Sequence, residues 1–217
     1  STAWFFERYN QDTTTTGLPM DIITDGSMEK WGLDADKNHL QLSVHAIGDK
    51  ANSYMLDLYE KIIKQNPKWD RRFRLEHAQH VRFEDVKRFA ELGVIASVQP
   101  YHCIDDGVWA EKRIGPERIK YTYPFKSFLD ADVKMCFGTD WYVAPLNPLL
   151  GIYAAVTRRT LDDKNPDGWI PEQKISVEDA IKCYTINSAY ASFEENIKGT
   201  IETGKLADII VLDKNPL

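Results

Sequence analysis

Short apolar runs and helical periodicities alternate along this chain. Residues 40–47 (Leu-Gln-Leu-Ser-Val-His-Ala-Ile) are apolar and partly alternating, the pattern of a buried strand. Residues 51–64 place Tyr54, Met55, Leu58, Tyr59, Ile62 and Ile63 at helical spacing, and Asn66-Pro67 stops the run. A second strand is expected at 72–78. An amphipathic helix at 82–92 follows, with Val86, Phe89, Ala90 and Leu92 inward and Gly93 suited to the left-handed cap. A third strand fits 94–99, ended by Pro100. An aromatic-rich connection then carries short helices near 105–112 and at 124–130, before a fourth strand at 134–138. Helices fit 148–159 and 177–193, the second opened by Ser176 as N-cap with Asp179 three residues on. The chain closes on an apolar strand at 209–212. Ahead of residue 40, the threonine run 13–16 reads as loop and 27–37 as a short helix.

Strand and helix thus alternate four times, with connections long enough for right-handed parallel crossovers. The class is α/β with a parallel sheet. Periodicity alone leaves open a doubly wound sheet or part of a barrel. Composition changes this picture only by exclusion. The 217 residues are 43% hydrophobic and 28% charged, with a formal net charge of −6, which excludes a disordered chain and gives no basic field for nucleic acid. No apolar run approaches the roughly 18 residues of a membrane helix. Cys103, Cys136 and Cys183 are far apart and never paired as Cys-x-x-Cys, so a disulfide framework or thiolate zinc site is not expected and a reducing cytoplasm is.

The candidate chemistry sits at strand ends. His45 and His77 lie near the C-terminal ends of the first and second strands, and Asp140 follows the fourth, at intervals of 32 and 63 residues. Those intervals are about one and two β-α units of roughly 30 residues. Parallel strands deliver such residues to one common face, where α/β proteins put their sites. Two neutral imidazoles and a carboxylate suit zinc and similar divalent ions. Beside a cation, Asp140 could also be the general base on a metal-bound water. The plainer alternative is two buried, hydrogen-bonded histidines and a helix N-cap. His102, in the loop after the third strand, is a candidate substrate contact or a surface histidine, and His80 and His39 fall in turns where solvation is expected. Trp109 and Arg113 could line a pocket, though a charged helix face accounts for Arg113 equally well. Gly48-Asp49-Lys50 lacks the upstream glycine of a phosphate loop, and no Gly-x-Ser-x-Gly or Gly-x-Gly-x-x-Gly occurs.

At these motifs the sequence resembles the metal-dependent amidohydrolase superfamily, and within it the family 3 branch that includes N-substituted formamide deformylases. The matching stretches are Val44-His45-Ala46-Ile47-Gly48-Asp49-Lys50-Ala51, Leu75-Glu76-His77-Ala78-Gln79, and Gly93-Val94-Ile95-Ala96-Ser97-Val98-Gln99-Pro100. They continue through Phe137-Gly138-Thr139-Asp140-Trp141, Asn147-Pro148-Leu149-Leu150-Gly151-Ile152 and Gly204-Lys205-Leu206-Ala207-Asp208. The resemblance implies a TIM (β/α)8 barrel with a small β-sandwich from both chain ends, and one or two divalent ions. It puts His45 on barrel strand five, His77 on strand six, the Gln99 segment on strand seven and Asp140 after strand eight. His45, His77 and Asp140 would be metal ligands, with Asp140 also shuttling the proton of the hydrolytic water. Gln99, His102, Trp109 and Arg113 are the expected substrate contacts.

The family also uses a His-x-His pair on strand one and often a bridging ligand on strand four, and this chain contains no His-x-His. Both features are expected upstream of Ser1, so residues 1–200 read as the C-terminal half of the barrel (strands 4/5 to 8) and 201–217 as the start of the sandwich. A complete barrel takes about 250 residues. Three functions compete. The first is a metal-dependent hydrolase of C–N bonds in a small amide-like molecule, of which this chain is part. The second is a non-catalytic half-barrel module that closes as a homodimer through its two exposed sheet edges. The third is a doubly wound binding domain unrelated to hydrolases.

Overall fold

The computed structural model describes residues 2–215, so the expected segment ends at residue 1 and at 216–217 lie outside the described residues. A four-stranded, all-parallel sheet forms the centre, in the order β1 (Ser43–Ala46), β2 (Arg74–His77), β3 (Ile95–Val98) and β4 (Met135–Phe137). All four expected strands form, each shorter than the span expected from the sequence. The crossovers are α3 (Asp49–Gln65), α4 (Phe83–Leu92), and the connection holding α5 (Pro100–Asp106), α6 (Ala110–Arg118) and α7 (Phe125–Asp130). After β4 come α8 (Pro148–Thr157), α9 (Val177–Tyr184) and α10 (Ile186–Ala191), while α1 (Asp21–Thr24) and α2 (Ser27–Lys37) precede the sheet. None of the helices among the described residues is long and apolar enough to cross a membrane.

Period-two alternation divides the sheet into unlike faces. Val44, Ala46, Leu75, Ala96, Val98, Met135 and Phe137 point to the helices and join a core with Leu56, Tyr59, Ile62, Phe89, Phe125 and Phe128. The other face carries Ser43, His45, Arg74, Glu76, Ile95, Ser97 and Cys136 in register. Its lower part is closed at β3 and β4, where Ile95 and Cys136 pack on Ala191 and Tyr190 of α10. Toward β1 it opens, and Ser43 and His45 are exposed.

Three expectations change. The helix expected at 105–112 becomes α5 and α6, separated at Gly107, where a Cβ would sit 2.5 Å from the Thr160 methyl and 3.0 Å from the Trp169 ring. The helix expected at 177–193 breaks at Thr185, whose φ/ψ of −114°/−94° leaves the helical region and turns α10 toward β4. Its start is as expected, because Ser176 Oγ accepts from the Asp179 N–H at 3.0 Å. Residues 209–212 form no strand, and Val211 is 94% exposed. An apolar run becomes a strand only with a neighbour to hydrogen-bond, and none lies beside it among the described residues.

A strap of residues 2–18 folds over the strand ends. It is held to itself by Phe5 N–H to Thr16 O (2.7 Å) and Leu18 N–H to Thr2 O (3.0 Å). Phe5 and Tyr9 are buried. Gly48 accommodates it, since a Cβ there would lie 2.1 Å from the Trp4 carbonyl oxygen. The Gly-Asp-Lys motif is therefore a docking point for backbone rather than for phosphate.

Candidate active site

His45 sits at the open edge of the sheet, one residue before the end of β1, with its ring in solvent. His77 ends β2 and would face the helices if the strand continued. Its φ of 74°, followed by 41° at Ala78, bends the backbone out of strand geometry, and its ring meets His45 instead. Two consecutive left-handed residues without a glycine cost about 1–3 kcal/mol each, a strain typical of sites whose geometry is fixed by their surroundings. The result is a direct contact, His77 Nε2 to His45 Nδ1 at 3.0 Å, with the rings 4.6 Å apart and nearly perpendicular.

Asp140 follows β4 and is also left-handed, with φ 59°. Its carbonyl accepts from the Val143 and Ala144 N–H groups in a turn, not a helix; the next helix, α8, is capped by Asn147, so Asp140 is not the helix N-cap of the plainer reading. Its carboxylate points to the histidines, and Oδ2 lies 3.0 Å from His102 Nε2. His102 stands in the first turn of α5, behind the Gln99-Pro100 helix start, with its ring 6.3 Å from that of His77. Gln99 is buried, its amide beside the His77 ring, and donates to the Ser97 carbonyl at 3.2 Å. The four side chains His45, His77, His102 and Asp140 therefore form one cluster at the C-terminal ends of β1 to β4. Burial, and then the charge of His45, holds the His77 imidazole below its ordinary pKa, so it is neutral with a lone pair available near pH 7.

As a metal centre the cluster is partial. Two facing imidazole nitrogens 3.0 Å apart match the spacing of two ligands on one small divalent ion. Asp140 is held on His102, and among the described residues no three histidine, cysteine or carboxylate side chains gather closely enough to hold an ion. The histidine pair fits a divalent metal as two of its ligands; further donors must come from elsewhere or from rearrangement.

The remaining sequence candidates separate from this cluster. Trp109 is 45% exposed and stacks with Arg113, whose guanidinium lies 5.8 Å from the ring; it lines a surface groove with Val108, Glu111 and Pro116. His39 is exposed as expected. His80 is not solvated. It is buried, its Nδ1 lies 2.9 Å from Thr122 Oγ1, and burial depresses its pKa to about 3. The strap explains this, because Phe5 packs on the His80 ring at 5.1 Å. Sequence reasoning missed a polar group behind the histidines, buried at Gln79, Tyr123 and Arg158 and half-buried at Asp106. Two positional signals pointed to it, Gln79 two residues after His77 and Asp106 one helical turn after His102.

Comparison with known proteins follows the same outline. The family described as "Amidohydrolase family" matches residues 1–217. "Protein LONG AFTER FAR-RED 3" of Arabidopsis thaliana is 40% identical over 216 residues, covering 99% of this chain and 36% of the relative. The N-substituted formamide deformylase of Arthrobacter pascens is 30% identical over 210 residues, covering 95% of this chain and 38% of the relative. The crystal structure of an uncharacterized metal-dependent hydrolase from Pyrococcus horikoshii OT3 superposes with a TM-score of 0.85 at 33% identity, over 99% of this chain and 42% of that one. The chain thus spans well under half the length of these relatives.

Proposed function

The chain belongs to the amidohydrolase family, and on that premise we propose that it is part of a metal-dependent hydrolase cleaving a C–N bond in a small amide-like molecule. The observation that carries this reading is the convergence of His45, His77, His102 and Asp140 on one end of a parallel sheet. In this reading the sheet is the C-terminal half of a (β/α)8 barrel, with 201–217 leading into the β-sandwich. His45 and His77 would hold the ion, joined by Asp140, and zinc suits this nitrogen and oxygen donor set best. Such an ion supplies Lewis acidity toward a carbonyl oxygen and makes water a nucleophile near pH 7.

The chain's own residues handle the proton. The Asp140 carboxylate takes it from the attacking water and returns it to the leaving nitrogen. His102, at 3.0 Å, orients that carboxylate and offsets the charge change. Gln99 lies beside His77 and would fix the ring orientation, while Trp109 and Arg113 would meet the outer part of the substrate. The three cysteines are free and buried, which supports a reducing, cytoplasmic setting. The test is made on the longer protein this reading requires, by metal analysis and hydrolysis of N-substituted amides. Stoichiometric divalent metal and a loss of turnover of at least about 100-fold in Asp140→Asn are expected. Full activity in that variant removes the assigned role.

A second reading, a half-barrel module that assembles as a homodimer without catalysis, is favoured by one observation. β1 and β4 are the two edges of the sheet and have no further strand beside them among the described residues. Sedimentation of the 217-residue chain decides it: a monomer at micromolar concentration removes the homodimer.

A further inference from the structure

The polar group behind the histidines has no part in the proton handling above. Gln79 Nε2 donates to Asp106 Oδ2 at 2.5 Å, and the Tyr123 hydroxyl donates to the same oxygen. The three residues come from three elements. Gln79 belongs to the strained turn that carries His77, Asp106 to α5, which carries His102, and Tyr123 to the corner between α6 and α7. Tyr123 and Gln79 are 2% and 8% exposed, so water does not share these bonds freely. The corner is clamped in turn. Arg158, fully buried, donates to the carbonyls of Tyr123 (3.0 Å), Thr122 (3.2 Å) and Trp169 (2.6 Å). The Tyr123 N–H closes the circuit on the Gln79 carbonyl at 2.7 Å.

Filling space does not require this arrangement. Asp106 is half-buried, and the hydration its carboxylate loses is a cost that an apolar side chain of similar size avoids, whereas its hydrogen bonds fix geometry. Two donors from different elements on one oxygen determine both the position and the rotation of α5. Asp106 and His102 are four residues apart on that helix and share a face. A rotation of α5 that moved Asp106 off Gln79 and Tyr123 would carry His102 away from Asp140.

We propose that Asp106 is a positioning residue: through Gln79 and Tyr123 it locks α5 to the end of β2 and so seats His102 on Asp140 beside His77. The hydrolase reading gives this arrangement its use, but the coupling between Asp106 and His102 stands apart from it. Ring spectra of 13C-labelled histidine in the full chain test it, since there are five histidines and each signal can be assigned by single replacement. Asp106→Asn keeps the side-chain shape and Tyr123→Phe removes one hydroxyl. Each is expected to displace the His102 ring signal while leaving that of exposed His39 in place. A purely structural role would lower the unfolding midpoint with the His102 signal unmoved in the folded protein, and that result overturns the proposal. If Asp106→Asn does not fold, Tyr123→Phe decides alone. Absence of any amide hydrolysis would remove the hydrolase reading and leave the displacement intact.

Discussion

The two faces of the sheet are built from the same four strands and obey different chemistry. Toward the helices every position is apolar except His77, where the backbone bends away, and Leu75, Ala96 and Val98 are fully buried. On the opposite face, one residue along, Glu76 takes a hydrogen bond from Ser43 at 2.6 Å and an ion pair from Arg74 at 3.3 Å, and His45 stands in solvent. The Arg74 Nε is buried without a hydrogen bond, because the Glu76 contact has the distance of an ion pair but not the angle of a hydrogen bond. Stability is concentrated on one face, and reactive groups are gathered at the rim of the other.

The difference is open to measurement by single substitutions one residue apart. Leu75→Ala on the covered face should lower unfolding free energy by about 3 kcal/mol in urea titration, through lost burial and a cavity. A loss below about 1 kcal/mol would mean that the helices pack loosely there. The next effect is a pH dependence. His80 has its pKa depressed to about 3 in the folded chain against 6.5 unfolded. Above pH 6.5 both states are neutral and its contribution is complete. As pH falls from 6.5 toward 3 the unfolded state takes up the proton first, and stability declines by up to about 1.4 kcal/mol per pH unit. His80→Gln should flatten that part of the profile; an unchanged slope would assign the acid sensitivity to other groups. Glu76→Gln should cost about 1 kcal/mol, since its pair with Arg74 is half-buried and the amide can still accept from Ser43. A larger cost would show that something covers that face in solution. The smallest effect on stability is expected for His45→Ala, within about 0.5 kcal/mol. The same change should abolish calorimetric binding of zinc, and unaltered binding would take His45 out of the ligand set.

Strands β3 and β4 were legible because burial on both faces leaves short, mostly apolar runs, as in Ile95-Ala96-Ser97-Val98, whereas β1 and β2 alternate. The positions of His45, His77 and Asp140 followed from strand ends, which chain order alone determines. The bend that swings His77 across the sheet did not follow, since nothing in Leu-Glu-His-Ala announces two left-handed residues. His80 was misread for a related reason. It looks like a turn residue until a strap more than 60 residues upstream covers it with Phe5. Gln79 and Asp106 escaped because hydrogen-bonding partners 27 residues apart leave no periodicity. Residues 209–212 carried a strand pattern without a strand, because sheet formation depends on a neighbour and not on the segment itself.

The strap has a consequence for the order of assembly. Its anchors are the Arg118 guanidinium, which grips the Glu7 and Arg8 carbonyls 111 and 110 residues away, and the Arg113 carbonyl, which accepts from the Asn10 N–H. During synthesis the strap is the first described segment to emerge. Residues 4–6 can meet the start of α3 once that helix is made, through Phe6 N–H to Asp49 at 2.9 Å, but residues 7–10 have no anchor until α6 has been made. Closing so long a loop is entropically slow compared with forming the local β-α units. The strap is therefore a late clasp, and a protease that cuts at residues 12–16 should act on nascent or newly released chains long before it acts on the finished protein.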